Sequence, residues 1–258
     1  MATETTATGE HGAGEGGLAL DPMHQFEVYP IVPIEIGGID ASFTNASLWM
    51  VIASGLVLLL LLAAPSKLVP TRFQSVGELV YEFIAKMMRD TVGESGRAFF
   101  PFVFTLFMFI LAANMLGMVP YSFTVTSHII VTFALAAVVF IGATVVGFIR
   151  HGPHYLRLFV PSGVPFVLLP LLVVIEVISY FTRPISLSVR LFANMMAGHT
   201  MLKVFAGFVV GMGILGGWAP LALMIGLTGL EILVAFLQAY VFAVLTCIYL
   251  NDALNLHH

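Results

Sequence analysis

The chain has 258 residues, 59% of them hydrophobic and 9% charged, with a mean hydropathy of +1.02, which is more apolar surface than one soluble core of that length can bury. A formal net charge of −4 gives no basic footprint for nucleic acid, and the single Cys247 excludes an intrachain disulfide framework. The solvent that fits this composition is lipid.

Residues 1–23 are rich in Gly, Ala, Thr and Glu and lack an apolar run, so they read as a flexible acidic tail rather than a signal peptide. The remainder, 24–258, reads as one membrane domain. A bilayer core about 30 Å thick needs about 20 apolar residues per helix, and uncharged runs of that length fall at 46–64, 99–119 and 129–149. Seven acidic and no basic side chains precede the first run, whereas Lys67, Arg72, Lys86, Arg89 and Arg97 lie between the first two. The excess of basic residues places that loop in the cytoplasm and the N-terminus on the outer, periplasmic side, and the C-terminus then lies in the cytoplasm.

Within the basic loop, Phe73, Val76, Val80, Phe83, Ile84 and Met87 recur at helical spacing, opposite Arg72, Glu78, Glu82, Lys86 and Arg89. The pattern predicts an amphipathic helix over about 70–92, either lying at the cytoplasmic interface or packed as a soluble helix on a partner. From 164 to 206 and from 218 to 250 the apolar tract runs on too far for an upright span: at 1.5 Å per residue these segments reach roughly 60 and 50 Å. Two steeply tilted antiparallel helices joined near Gly213–Pro220 fit, with Pro184 able to kink the first; a set of shorter broken helices is the rival. The predicted fold is thus an all-α integral membrane protein of about five membrane helices plus the amphipathic one.

The joining segment contains GMGILG, which satisfies a GxGxxG pattern. It lies between membrane helices with no βαβ unit around it and no phosphate loop elsewhere, so no nucleotide site is read from it. No cofactor and no metal site are expected, because His199 is the only histidine inside a span.

Polar residues on the two long helices form stripes. Glu176, Arg183 and Arg190 are spaced by seven, which keeps them within about 40° of one another, and Asn194 follows one turn later; Glu231 and Gln238 are likewise seven apart. Intramembrane charges cost from about 2.5 to more than 10 kcal/mol unless they meet water, a partner charge or a protein groove. Static pairing of Arg183 with Glu176 and of Arg190 with Glu231 would satisfy them; so would a polar path. A secondary transporter would carry a second polar, broken helix in its first half, and the first three spans hold no charge.

The stretches RPISLSVRLFANMMAGH (183–199) and LEILVAFLQAYVFAVLTCIYLNDA (230–253), with PSGVP (161–165) and NMLGMVPYSF (114–123), closely resemble subunit a of the rotary F-type ATP synthases. The resemblance covers roughly residues 24–253. The placing of His at 199 and Glu at 231 looks like the mitochondrial and alphaproteobacterial branch. The resemblance implies a non-catalytic, proton-conducting stator in a bacterial inner membrane, beside a ring of c subunits and held by peripheral-stalk b-type subunits, with lipid as its other partner and nucleotides bound elsewhere. It implies that Arg190 is a fixed charge that favours ionisation of ring carboxylates and separates two half-channels. On that basis the outer half-channel is assigned to Asn194, His199, Glu231 and Gln238, and Glu176 to the exit side. Arg183 is expected to hold Glu176 or a lipid phosphate, and Asn114 to be helix glue or a lesser channel residue. An antiparallel register with Arg190 level with Gln238 also brings His199 level with Glu231, while the nine-residue step from 190 to 199 turns His199 about 180° away from Arg190.

Overall fold

The computed structural model describes residues 26–33, 35–36, 39–40, 42–62, 72–119, 122–160 and 168–255. The acidic tail, the PSGVP stretch and the terminal His257 and His258 lie outside the described residues. Two short antiparallel ribbons precede the helices: β1 (Pro30–Val32) pairs with β4 (Phe43–Thr44), and β2 (Glu35–Ile36) with β3 (Ile39–Asp40). Among the described residues six α-helices follow: α1 (Asn45–Leu62), α2 (Arg72–Val92), α3 (Phe100–Gly117), α4 (Ile129–His151), α5 (Leu169–Gly216) and α6 (Trp218–Leu254). Five helical segments are long and apolar enough to cross a membrane, those built on α1 and α3–α6.

Hydrophobic runs without period dictate α1 and α3, apolar all round, as a helix in lipid must be. A 3-10 turn at Glu94–Phe99 leads into α3, where Pro101 occupies the first turn and needs no amide partner. The helix α2 is amphipathic, and its apolar side divides. Ile84, Met87 and Met88 are buried in the core, whereas Val76 and Leu79 are exposed. Half of the amphipathic face is thus occupied by this chain's own α3 and α6.

At the centre stands α6, which packs against α2, α3, α4 and α5. Its contact side is built from small residues, with Ala235, Ala239, Ala243 and Cys247 all buried, so neighbouring backbones approach closely where lipid gives no hydrophobic drive for helix association. Phe107 and Ile110 of α3, Val139 of α4, and Leu187, Leu191 and Met195 of α5 fill the same core.

The long helices α5 and α6 pack together along their length. The residue with non-helical dihedrals inside α5 is Gly213 (φ 64°, ψ −163°), not the neighbourhood of Pro184, which keeps helical angles. A left-handed φ is open to glycine without a Cβ clash, so the chain breaks there. Pro184 forfeits one amide bond, but the buried Leu187 and Leu191 hold its stretch against the core. The turn is shorter than the sequence suggests: a single residue, Gly217, separates the end of α5 at Gly216 from the start of α6 at Trp218.

Candidate functional site

Two polar clusters lie along the α5–α6 hairpin. At the first, His199 of α5 and Glu231 of α6 are buried and face each other, with Nδ1 to Oε1 at 3.5 Å. That distance is longer than a well-made hydrogen bond of about 2.7–3.2 Å. Neither oxygen of Glu231 has a hydrogen-bond partner among the described residues. The carboxyl group is seated on Gly198, where an added Cβ would lie 2.8 Å from Oε1, so only glycine leaves room for it.

The other imidazole nitrogen, Nε2, meets the hydroxyl of Thr124 at 3.1 Å, and that hydroxyl donates to the Gly117 carbonyl at the end of α3 (3.2 Å). Thr124 comes from the loop between α3 and α4, whose 3-10 turn Val125–Ser127 packs into the bundle against α3, α4 and α5. On α3, Asn114 is fully buried; its amide donates to the Ala235 carbonyl (3.2 Å), one turn from Glu231, and its Oδ1 has no described partner. The fully buried Thr126 hydroxyl is likewise without a described partner. His128, which caps α4, stacks on Phe123 with the rings 4.9 Å apart, and burial lowers its pKa below the ordinary imidazole value.

Arg190 stands on the opposite side of α5 from His199. It is exposed, and no ion pair or hydrogen bond joins its guanidinium to a described residue. Ser186, Ala193, Asn194 and Ala197 share that exposed face, so Arg190 rises from a strip of small side chains. Gln238 is buried on α6. The static pairing of Arg190 with Glu231 is not what the helices make, since Glu231 faces His199 on the inner side.

The second cluster corrects another expectation. Arg183 pairs with Asp252 of α6, Nη1 donating to Oδ2 at 2.9 Å, and not with Glu176, which is half-buried and has no ion pair among the described residues. The guanidinium also lies over the rings of Tyr180 (5.9 Å) and Tyr249 (5.7 Å), which attract a cation through their negative faces. Beside it the hydroxyl of Tyr180 bonds those of Thr144 (2.6 Å) and Tyr155 (3.1 Å), tying α4 and the segment after it to α5. His151 Nε2 donates to the Leu254 carbonyl (3.3 Å), joining α4 to the end of α6.

The structure therefore brings together His199, Glu231 and, one turn away, Asn114. It separates Arg190 and Asn194 onto an exposed face and leaves Glu176 outside the Arg183–Asp252 pair. Sequence spacing misses Thr124 and Asp252. Thr124 is in a loop, where no helical period applies, and Asp252 lies further along α6 than a level register suggests.

The family model of the ATP synthase A chain matches residues 47–251. Among similar proteins, ATP synthase subunit a of Pelagibacter ubique is 64% identical over 93% of this chain and the whole of that protein. The subunit a of Parvibaculum lavamentivorans is 61% identical over 98% of this chain and the whole of its own, and that of Rhizobium meliloti 63% identical over 92% and 98%. Matches of this extent, spanning every helix that carries the two clusters, show that the chain belongs to the ATP synthase A chain family.

Proposed function

We propose that the chain is the non-catalytic, proton-conducting stator subunit of an F-type ATP synthase, supplying two offset half-channels to a rotating c-ring and a fixed arginine between them. The observation that carries this reading is the division of α5: a buried imidazole–carboxyl pair on one side and, on the other, an exposed guanidinium with no partner among the described residues. His199 and Glu231 are the groups of the outer path able to hold a proton; the amides of Gln238 and Asn114, and of Asn194 from the exposed face of α5, line it as hydrogen-bonding groups. Arg190 faces the ring, and the small Ser186, Ala193 and Ala197 around it let a ring helix come close.

A guanidinium stays protonated at any working pH. Facing a ring carboxylate, it favours the ionised form and so drives the proton into the exit path, assigned to Glu176. A hydronium passing the same fixed cation meets repulsion, so the half-channels do not short-circuit. Each charge carried is worth about 2.3 kcal/mol per 100 mV, which a leak would lose as heat. The lengths of α5 and α6, 48 and 37 residues, support steep inclination in a core of about 30 Å. With the basic-residue excess between α1 and α3, the proposed setting is a bacterial inner membrane with the N-terminus periplasmic and the C-terminus cytoplasmic. Peripheral-stalk b-type subunits and lipid are the remaining partners, and nucleotides bind to other chains of the complex.

The test is Arg190→Ala in the whole complex, reading ATP synthesis driven by an imposed gradient in vesicles, with subunit content as the check on assembly. Assembled complexes should make no ATP. Substantial synthesis would overturn the proposal.

A further inference from the structure

We propose that Thr124 is a positioning residue that fixes the tautomer of His199, keeping a proton on Nε2 and leaving Nδ1, which faces Glu231, as the nitrogen that exchanges. The inference rests on the proton-path reading of His199 and Glu231 for its role in function, but not for its geometry.

Thr124 is buried, and its one hydroxyl proton has two neighbours in reach, the Gly117 carbonyl at 3.2 Å and His199 Nε2 at 3.1 Å. A carbonyl can only accept, so the first contact is a bond only when Thr124 donates to it. Gly117 ends α3, where carbonyls lack helical partners and need donors; the Ser122 hydroxyl also lies 3.1 Å from this carbonyl, but its single proton has the nearer Leu116 (2.6 Å) and Val119 (2.7 Å) carbonyls, which leaves Gly117 to Thr124. With its proton so engaged, Oγ1 meets Nε2 as an acceptor, and Nε2 must then carry hydrogen. The alternative, Thr124 donating to Nε2, leaves the contact with Gly117 unmade and puts the imidazole proton on Nδ1.

Under the first arrangement the pair has two balanced states. In one, the imidazolium bears protons on both nitrogens and Glu231 is a carboxylate. In the other, Nδ1 has passed its proton to Glu231, leaving a neutral imidazole with its proton on Nε2 and a carboxylic acid. The Thr124 bonds are the same in both, so no buried nitrogen loses its partner as the proton moves. The other charged groups around His199 are few: Lys203 lies one turn along α5, and neither α3 nor the Val125–Ser127 turn carries a charge. Gly117 enforces the fit, since an added Cβ would stand 2.7 Å from Thr124 Cγ2 and 3.0 Å from Oγ1.

The decisive measurement needs no variant of Thr124. In the complete complex labelled with ¹⁵N-histidine, with the His199 signals assigned by their loss in His199→Gln, Nε2 should remain of the protonated type across the titration while Nδ1 alone changes. A neutral state with the proton on Nδ1 would overturn the proposal. In Thr124→Val both tautomers should appear and ATP synthesis should fall about tenfold; in Thr124→Ser the spectrum should be wild-type and synthesis within about twofold. Gly117→Ala should copy Thr124→Val, and Thr124→Ser should partly restore it by removing the methyl that clashes. An unchanged tautomer in assembled Thr124→Val complexes would equally refute the lock. If the lock is seen but Arg190→Ala complexes make ATP, the stator reading falls and the tautomer assignment stands. If Arg190→Ala is inactive and the Nδ1 tautomer is found, the reverse holds.

Discussion

Two turns of one helix separate Arg183 from Arg190, and they are treated in opposite ways. Arg183 is tied down: a carboxylate at 2.9 Å, two tyrosine rings below 6 Å, and a hydroxyl network behind them. Arg190 has none of these and stands exposed among small side chains. A charge in a membrane that serves only structure is neutralised at once by its own chain, because leaving it unmatched costs several kcal/mol. One left without a partner among the described residues is open to a charge outside the chain, which is the role proposed for Arg190. The same contrast runs between the two acid–base contacts. Arg183 and Asp252 make a short bond, whereas His199 and Glu231 stand 3.5 Å apart with both carboxyl oxygens still unsatisfied by described residues, a looseness that fits the proton exchange proposed for them.

The largest expected effect exploits the first contrast. Arg190→Lys keeps a cation but replaces the planar, weakly hydrated fork by an ammonium that can lose its proton when desolvated. ATP synthesis in assembled complexes should drop about a hundredfold or more, as on removing other preorganised charges. The parallel change Arg183→Lys should leave most of the activity. Comparable losses in both would show that the difference in partners does not separate their roles.

Next in size is the exchange of His199 and Glu231. Each single change, His199→Glu or Glu231→His, should lower proton flux in vesicles by roughly ten- to a hundredfold. The double swap should recover part of it, because an imidazole and a carboxyl still face each other at the same register. Flux in the double variant no better than in the worse single one would count against a shared proton.

The register of that pair is the clearest case of structure legible in sequence. An antiparallel hairpin needs only one level pair to fix all others, and the polar stripes supply it. The exposed and buried faces of α5 follow the 100° step as well, with His199 inward and Arg190 outward. What spacing could not give is the lean of side chains. Level with Arg183 on the register of His199 and Glu231 is residue 247, and Asp252 lies five residues beyond, roughly 7.5 Å. Side chains on a helix lean toward its N-terminus, and in an antiparallel pair these two lean toward each other, which closes the gap. The break at Gly213 falls where the glycine-rich joint was legible, but the straight passage through Pro184 was not: packing of Leu187 and Leu191 against the core holds that stretch helical. Thr124 is placed by the way the α3–α4 loop folds into the bundle, and no periodicity foretells that.

A smaller effect should come from Gly198→Ala. The new Cβ would stand 2.8 Å from Glu231 Oε1 and 3.1 Å from its Cδ, so the carboxyl must move away from the imidazole. Helix propensity alone would make this a stabilising change by about 1 kcal/mol. Proton flux should nevertheless fall about two- to tenfold, while the thermal stability of the complex is kept or raised. Loss of stability together with flux would mean that Gly198 serves packing and not the placement of Glu231.

The smallest expected effect lies at Arg183 and Asp252, and it is thermodynamic. Both side chains are about a third exposed, at 32% and 31%, so the ion pair is screened and is worth about 1 kcal/mol at most, with the two ring contacts adding about 0.5–1 kcal/mol. A double-mutant cycle of Arg183→Met and Asp252→Asn, read as the unfolding midpoint of the complex, should give a coupling of about 1 kcal/mol, since each single change strands the other charge. The rings are tested separately: Tyr249→Leu should reduce the effect of Arg183→Met by about 0.5 kcal/mol without altering that of Asp252→Asn by more than a few tenths. ATP synthesis in the Arg183→Met complexes should weaken and not vanish, because the guanidinium there closes a contact between α5 and α6 and, on the proposed reading, lies off the proton path. If coupling is absent and synthesis is lost as fully as in Arg190→Ala, then Arg183 also acts on the proton, and the division of labour along α5 fails.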